Sequence, residues 1–243
     1  KHSGVDDLDE PWAVSLAETR LDQYIESGRA GTDIADASLS GGISDAQARY
    51  NLTNLCPDGT INPAEVAVFE RLLGHAKLDP ALAQATAELM AATLDKQGSA
   101  SANRQAGPQP MKLAYLDDLL AVPGFTAEML DRLRDLVIFL PRATPVNVNT
   151  APAEVLAALT GTLSSADAAA LVTSRNTASF RDLADFTHRL PGKPLSASSG
   201  KASVTTNYFL VNGKVRMTRA SLEMQALVER TGTITKLIWI REY

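Results

Sequence analysis

The 243-residue chain is long enough to bury a core, and its 45% hydrophobic and 21% charged residues are the proportions of a folded globular protein. A net charge of −5 opposes a polyanionic partner such as nucleic acid unless basic residues are locally concentrated. The single cysteine, Cys56, excludes an internal disulfide and a multi-thiolate zinc site.

No run approaches the ~20 apolar residues that span a bilayer. A purely apolar run such as Leu136 to Leu140 stops at Pro141. The start at Lys1 rather than Met is that expected of a processed or truncated product, with any membrane anchor upstream.

In chain order, Pro11 to Ile25 carries Trp12, Leu16 and Tyr24 on roughly one helical face and predicts a short helix. Gly28, Gly31, Gly41 and Gly42, with Ser38 and Ser40, then predict loops. Arg49 to Leu55 alternates apolar with polar and predicts a strand, ended by a turn at Asp58-Gly59.

From Pro63 to Lys201 the pattern is helical. Asn62-Pro63-Ala64-Glu65 supplies an N-cap, a first-position proline and a Glu able to reach back, before Val66, Phe69, Leu72 and Leu73. Asp79-Pro80 opens a second helix holding Leu82, Leu89, Met90 and Leu94, which Gly98 can stop. Lys96 to Pro110 is polar and predicts a surface loop. Thr126 caps a predicted helix over Ala127 to Phe139, and Thr150 caps one with Val155, Leu156 and Leu159. Ser164 or Ser165 opens Ala166 to Arg175. Phe180 to Leu190 is a last short helix, followed by a loop from Gly192 to Lys201.

From Val204 to Tyr243 the period changes to two. Tyr208 to Val211 and Lys214 to Thr218 form either a strand pair or one long bent strand. Leu222 to Val228 and Ile234 to Arg241 complete an antiparallel meander. The early strand needs partners for its backbone groups, and the late strands supply them. The expected fold class is therefore α+β, an antiparallel sheet interrupted by a large all-helical insertion. Residues 1–61 and 204–243 build the sheet domain, and residues 62–203 form the insertion.

Catalytic chemistry is sparse. His2, His75 and His188 are the only histidines, and no H-E-x-x-H, G-x-S-x-G or Walker sequence occurs. The acidic pairs Asp6-Asp7 and Asp117-Asp118 are adjacent and diverge on either a helix or a strand. No catalytic residue is assigned, and no enzyme is expected.

One register resembles a calcium loop. Asn54, Asp58, Asn62 and Glu65 stand at positions one, five, nine and twelve, with Gly59 at six. Cys56 at position three is a poor ligand for a hard ion, and only two carboxylates remain. A turn followed by a capped helix explains the same residues, so no metal or cofactor is expected.

Val146-Asn147-Val148-Asn149-Thr150-Ala151-Pro152, continuing through Gly161 to Leu183, looks like a helix-hairpin-helix unit. Such units can bind nucleic acid, which makes that the alternative function. Gly161-Thr162-Leu163-Ser164 lacks the hairpin's second glycine, and Arg142 to Lys193 holds five Lys/Arg against four Asp/Glu. Counterion release needs concentrated positive charge, so a packing module is the better reading and no nucleic acid is expected.

An ordered set of blocks resembles the general secretion pathway K proteins, the K-type minor pseudopilins of bacterial type II secretion. Asp9 to Ala13 fits the region after their anchor helix, and Ala48 to Leu55 resembles their first strand. Val122 to Thr126 and Pro145 to Leu156 resemble their helical insertion. Val204 to Phe209 and Leu237 to Arg241 resemble their final sheet. The resemblance implies a pseudopilin sheet split by a helical domain, and an N-terminal inner-membrane helix absent from this chain. It also implies a periplasmic location and a heterotrimer with I-type and J-type minor pseudopilins at the pseudopilus tip, initiating or capping assembly. Many members carry an acidic Gly-Ala-Glu-Asp run associated with calcium. Here Asp95 to Pro110 holds one carboxylate, so no metal site is transferred.

Overall fold

The structure is a computed structural model that describes residues 4–20, 37–98, 111–191, 201–217 and 220–242. The chain begins with a 3-10 turn at Pro11–Ala13, then strands β1 (Leu16–Arg20), β2 (Ser38–Asp45) and β3 (Tyr50–Asn51). Helices α1 (Pro63–His75), α2 (Ala81–Gly98) and α3 (Ala127–Leu133) follow, then strands β4 (Val137–Ile138) and β5 (Val146–Asn147). Helices α4 (Ala153–Thr160), α5 (Ser165–Thr177) and α6 (Leu183–Arg189) lead to β6 (Ala202–Ser203). Strands β7 (Tyr208–Arg216), β8 (Ser221–Thr231) and β9 (Ile234–Glu242) close the chain.

Two compact units result, one of residues 1–46 with 205–243 and one of residues 47–204. The first is an antiparallel five-stranded sheet in the order β1-β2-β7-β8-β9. The chain leaves this sheet after β2 and re-enters it at β7, so a sheet built from both chain ends is interrupted by an insertion. Tyr208 to Arg216 is one strand rather than a pair, with its Asn212-Gly213 step running straight through the ladder.

The strand that pairs across the insertion is not the expected one. Ser38–Asp45, predicted as a loop from its glycines and serines, pairs with β7 over its whole length, from Ser38 opposite Arg216 to Asp45 opposite Phe209. A Cβ on Gly41 would lie 2.5 Å from the Asn212 carbonyl oxygen, so glycine here permits close strand approach rather than a turn. Arg49 to Leu55, expected to join the meander, lies in the second unit instead. Only Tyr50–Asn51 is extended, parallel to β4, and Leu52–Leu55 is a 3-10 helix. Tyr50, Asn51, Leu52, Asn54 and Leu55 are all buried, so the apolar–polar alternation marked no half-exposed strand. The first boundary therefore falls after Ala46 rather than after residue 61.

Other elements differ locally. The helix expected from Pro11 is a 3-10 turn followed by edge strand β1, and residues 21–25 lie outside the described residues. Three scattered apolar residues gave no continuous stripe to oppose pairing with β2. The helix after Thr126 ends at Leu133, and Val137–Ile138 pairs with β3 instead, as β-branched residues favour. The insertion is thus helical, with the two-residue parallel pairs β3–β4 and β5–β6 inside it. The loop expected over residues 96–110 is α2 as far as Gly98; its remainder, like residues 192–200, lies outside the described residues.

Capping explains why the helices start where they do. Asn62 accepts from Ala64 N, Thr126 from Met129 N, and Asp182 from Asp185 N. Ser164 and Asp167 form a reciprocal capping box on α5. Helix α4 starts after Pro152 without a side-chain cap, and Thr150 bonds the Asn147 carbonyl instead. The core of this unit joins Val66, Phe69, Leu72 and Leu73 of α1 to Val155, Leu156 and Leu159 of α4, with Leu171 and Phe186 beyond.

Candidate functional site

Three of the four residues in calcium-loop register are engaged by the protein itself. The Asn54 side chain is buried and makes two bonds with the Thr144 backbone, accepting from N at 3.0 Å and donating to O at 2.9 Å. Asn62 caps α1, and Asp58 is exposed. The Glu65 carboxylate accepts from the Tyr50 hydroxyl at 3.0 Å and pairs with Lys201 at 3.4 Å. It does not reach back to Asn62 as the cap pattern suggested. Among the described residues no three His, Cys, Asp or Glu side chains are grouped to hold a metal. His75 and His188 sit in the last turns of α1 and α6, and His2 lies outside the described residues.

The residues of the family-like blocks act as stitches. Asn51 accepts from the backbone N–H groups of Thr53 (3.0 Å) and Leu140 (3.1 Å). It donates to the Arg142 carbonyl (2.7 Å) and the Thr144 hydroxyl (3.1 Å). Thr53 bonds the Leu140 carbonyl and Gln47 the Pro145 carbonyl. One short segment therefore satisfies the irregular backbone at Leu140, Arg142, Thr144 and Pro145, of which Leu140 and Thr144 are buried. The Asn149 amide does the same for both backbone groups of Phe180. Polar residues inside an apolar run were the available sequence signal for this role.

Two buried groups are electrostatically displaced. Burial, then the charge and hydrogen bond of Glu65, push the Tyr50 phenol well above its usual pKa of 10. Burial lowers the Arg175 guanidinium to about 10; it donates to the carbonyls of Val148 and Ala151, and its Nε has no partner. Because folded Tyr50 keeps its proton where the unfolded phenol loses it, its contribution to stability is complete below pH ~10 and fades above. Alkaline titration at 295 nm should therefore give the wild type and Tyr50→Phe equal tyrosinate absorbance until the chain unfolds. An extra phenol titrating in the folded wild type would contradict this.

The helix-hairpin-helix segment is unsuited to phosphate. Gly161, with φ of 68°, ends α4, and the Arg71 side chain lies beside it, its Nε donating to the Ala158 carbonyl. The backbone N–H and hydroxyl of Ser164 both donate to Asp167, so a carboxylate occupies the N-terminus of α5 that a phosphate would need.

The sheet presents two contrasting faces, fixed by alternation and register. One carries the cross-strand polar pairs Lys214 with Glu223, Asn212 with Gln225 and Arg216 with Glu18, Arg241 over the Trp239 ring on the same strand, and the buried apolar pair Leu210 and Leu227. The other carries Leu39 and Ile43 of β2, Val211 and Val215 of β7, Leu222, Met224, Ala226 and Val228 of β8, and Leu237 and Ile240 of β9. Much of it is open: Ile43 is 38% exposed, Leu237 52% and Ile240 54%. At one end of this face Phe209 is covered edge-on by Trp12, with ring centroids 5.2 Å apart, and Arg230 stacks on it. Asp6 is buried there, accepting from Arg230 and from Thr206 N. The segment around Asp6 and Trp12 is thereby fixed at the margin of the open face.

These features define a class by architecture: an antiparallel sheet made from both chain ends, interrupted by a helical insertion, with one open apolar face. Comparison with known proteins supplies the family. Models of type II secretion system protein K match residues 48–142 and 146–206, well over half of the chain. The chain belongs to the type II secretion system protein K family. Type II secretion system protein K of Pseudomonas aeruginosa is 28% identical over 230 residues, covering 88% of this chain. The chain spans 63% of that relative's length. A crystal structure of the GspK–GspI–GspJ complex from the enterotoxigenic Escherichia coli type 2 secretion system contains a chain of the same fold. Its TM-score is 0.69 at 22% identity, over 100% of this chain and 88% of that one.

Proposed function

We propose that this chain is the periplasmic part of a non-enzymatic minor pseudopilin of type II secretion. It assembles as a heterotrimer with I-type and J-type minor pseudopilins, at the tip that initiates or caps the pseudopilus. An inner-membrane helix preceding Lys1 in the full-length protein anchors it. The observation that carries this reading is the open apolar face in a chain of the protein K family. Apolar surface of that extent is covered in a working protein, and an apolar helix is the simplest cover. The E. coli protein of like fold is part of a complex with GspI and GspJ, which supports the partners. The bulk of the insertion suits a subunit above which no other stacks.

The reading predicts that deleting the gene in its host abolishes export of type II substrates while leaving their synthesis intact. Full-length protein should restore export, and a variant lacking residues 47–204 should not. Normal export from the deletion strain would overturn the proposal.

A further inference from the structure

Between residues 4 and 16 one residue alone is buried, and it is a carboxylate. Asp6 is 4% exposed, whereas the apolar Leu8, Val14 and Leu16 of the same stretch are 51%, 74% and 51% exposed. Apolar side chains ordinarily hold such a segment down, so the pattern here is inverted. Both Asp6 carboxylate oxygens accept from one Arg230 nitrogen at 2.6 Å, and one of them also accepts from Thr206 N at 2.8 Å. The same Arg230 nitrogen donates to the Thr206 carbonyl at 2.9 Å. A cleft of about 260 Å³ opens beside the pair, lined by Gly4, Glu10, Thr205 and Gly232, so close packing does not hold the segment on that side.

Arg230 joins this contact to a second. Its guanidinium lies 4.8 Å from the Phe209 ring centroid, and Trp12 meets the same ring edge-on at 5.2 Å. The Trp12 indole N–H donates to Glu10, which ties the tryptophan back into its own segment. Arg230 is itself fixed on β8: its backbone N–H donates to the Asn207 carbonyl at 2.6 Å, and its carbonyl accepts from the Asn207 amide at 3.0 Å. One side chain of the sheet thus grips the segment at Asp6 directly and at Trp12 through Phe209. A buried ion pair is a poor source of stability, and its best-attested use is to select one arrangement over others. Its hydrogen bonds are directional, where apolar contacts alone would let a segment slide.

We propose that Arg230 is the positioning residue of a joint, holding residues 4–13 as one body with the sheet and thereby setting the heading of the chain that precedes them. The consequence for the preceding chain rests on the anchored-pseudopilin reading; the joint itself does not. The test uses Arg230→Met, which keeps an apolar stem over Phe209 and removes the charge, first in residues 1–243. Wild-type residues 5–12 should show backbone order parameters near the ~0.85 of a rigid sheet, and the variant should fall below about 0.6 there. The Thr206 N–H should exchange about 10- to 100-fold faster, with the melting of the helical unit unchanged. Asp6→Asn loses the charge and keeps the shape, should give the same release more mildly, and serves if Arg230→Met does not fold. In the deletion strain, full-length Arg230→Met present at wild-type level should restore export several-fold less well than wild type. A segment that is already mobile in the wild type, or that stays ordered in both variants, overturns the joint. A freed segment with full export overturns its role in heading and leaves the pseudopilin reading intact. Normal export from the deletion strain itself sinks that reading instead, and with it the consequence for the preceding chain.

Discussion

Replacing Asn51 with leucine should lower the melting temperature of the helical unit by about 10 °C. The side chain is almost fully buried and satisfies two backbone N–H groups, one carbonyl and one hydroxyl. Leucine has similar volume and no polar atoms, so the Leu140 N–H and the Thr144 hydroxyl lose a partner away from water, and the part-buried Thr53 N–H and Arg142 carbonyl lose theirs nearer the surface. Each orphaned buried group costs about 1–3 kcal/mol and the part-buried pair less, for a total near 4 kcal/mol. At roughly 2–4 °C per kcal/mol for a unit of this size, that is the shift expected. Asn51→Asp keeps the acceptor and loses the donor, and should fall between. Thermal melting combined with hydrogen exchange at Thr53 and Leu140 checks this. A leucine variant within 1 °C of wild type would mean that water or a shifted backbone replaces the amide.

The sheet has its own sensitive position. Gly41→Ala places a methyl group 2.5 Å from the Asn212 carbonyl oxygen, closer than non-bonded atoms approach, so β2 and β7 must separate locally. Overpacking of this kind costs about 2 kcal/mol. Amide exchange in β2 and β7 should accelerate, with the helical unit unaffected. Unaltered protection of Ser38–Asp45 would show that the strands absorb the methyl group without strain.

Much of the architecture was readable from residues. Asn62-Pro63 and Thr126 each start a helix because local chemistry decides a cap, and of the two serines offered Ser164 is the cap; the last helix starts after Asp182 rather than at Phe180. The three late strands alternate where Asn212, Lys214, Glu223, Gln225 and Arg241 put a polar stretch on one sheet face. What failed depended on distant partners. Gly41 and Gly42 resemble a turn until Asn212 is seen beside them, and β2 took the place that Arg49 to Leu55 was expected to fill. The expected topology survived with a different strand. The open face was not legible, since its rows exist only once β2 is in register with β7. Nor were the bonds of Asn51 and Asn149, whose backbone partners lie 31 or more residues away across the fold except for Thr53.

The most direct measurement is the mass of an equimolar mixture of this chain with the soluble parts of the I-type and J-type pseudopilins proposed as its partners. Light scattering at micromolar concentration should give one species at the sum of three monomers. Three separate monomers would contradict the account.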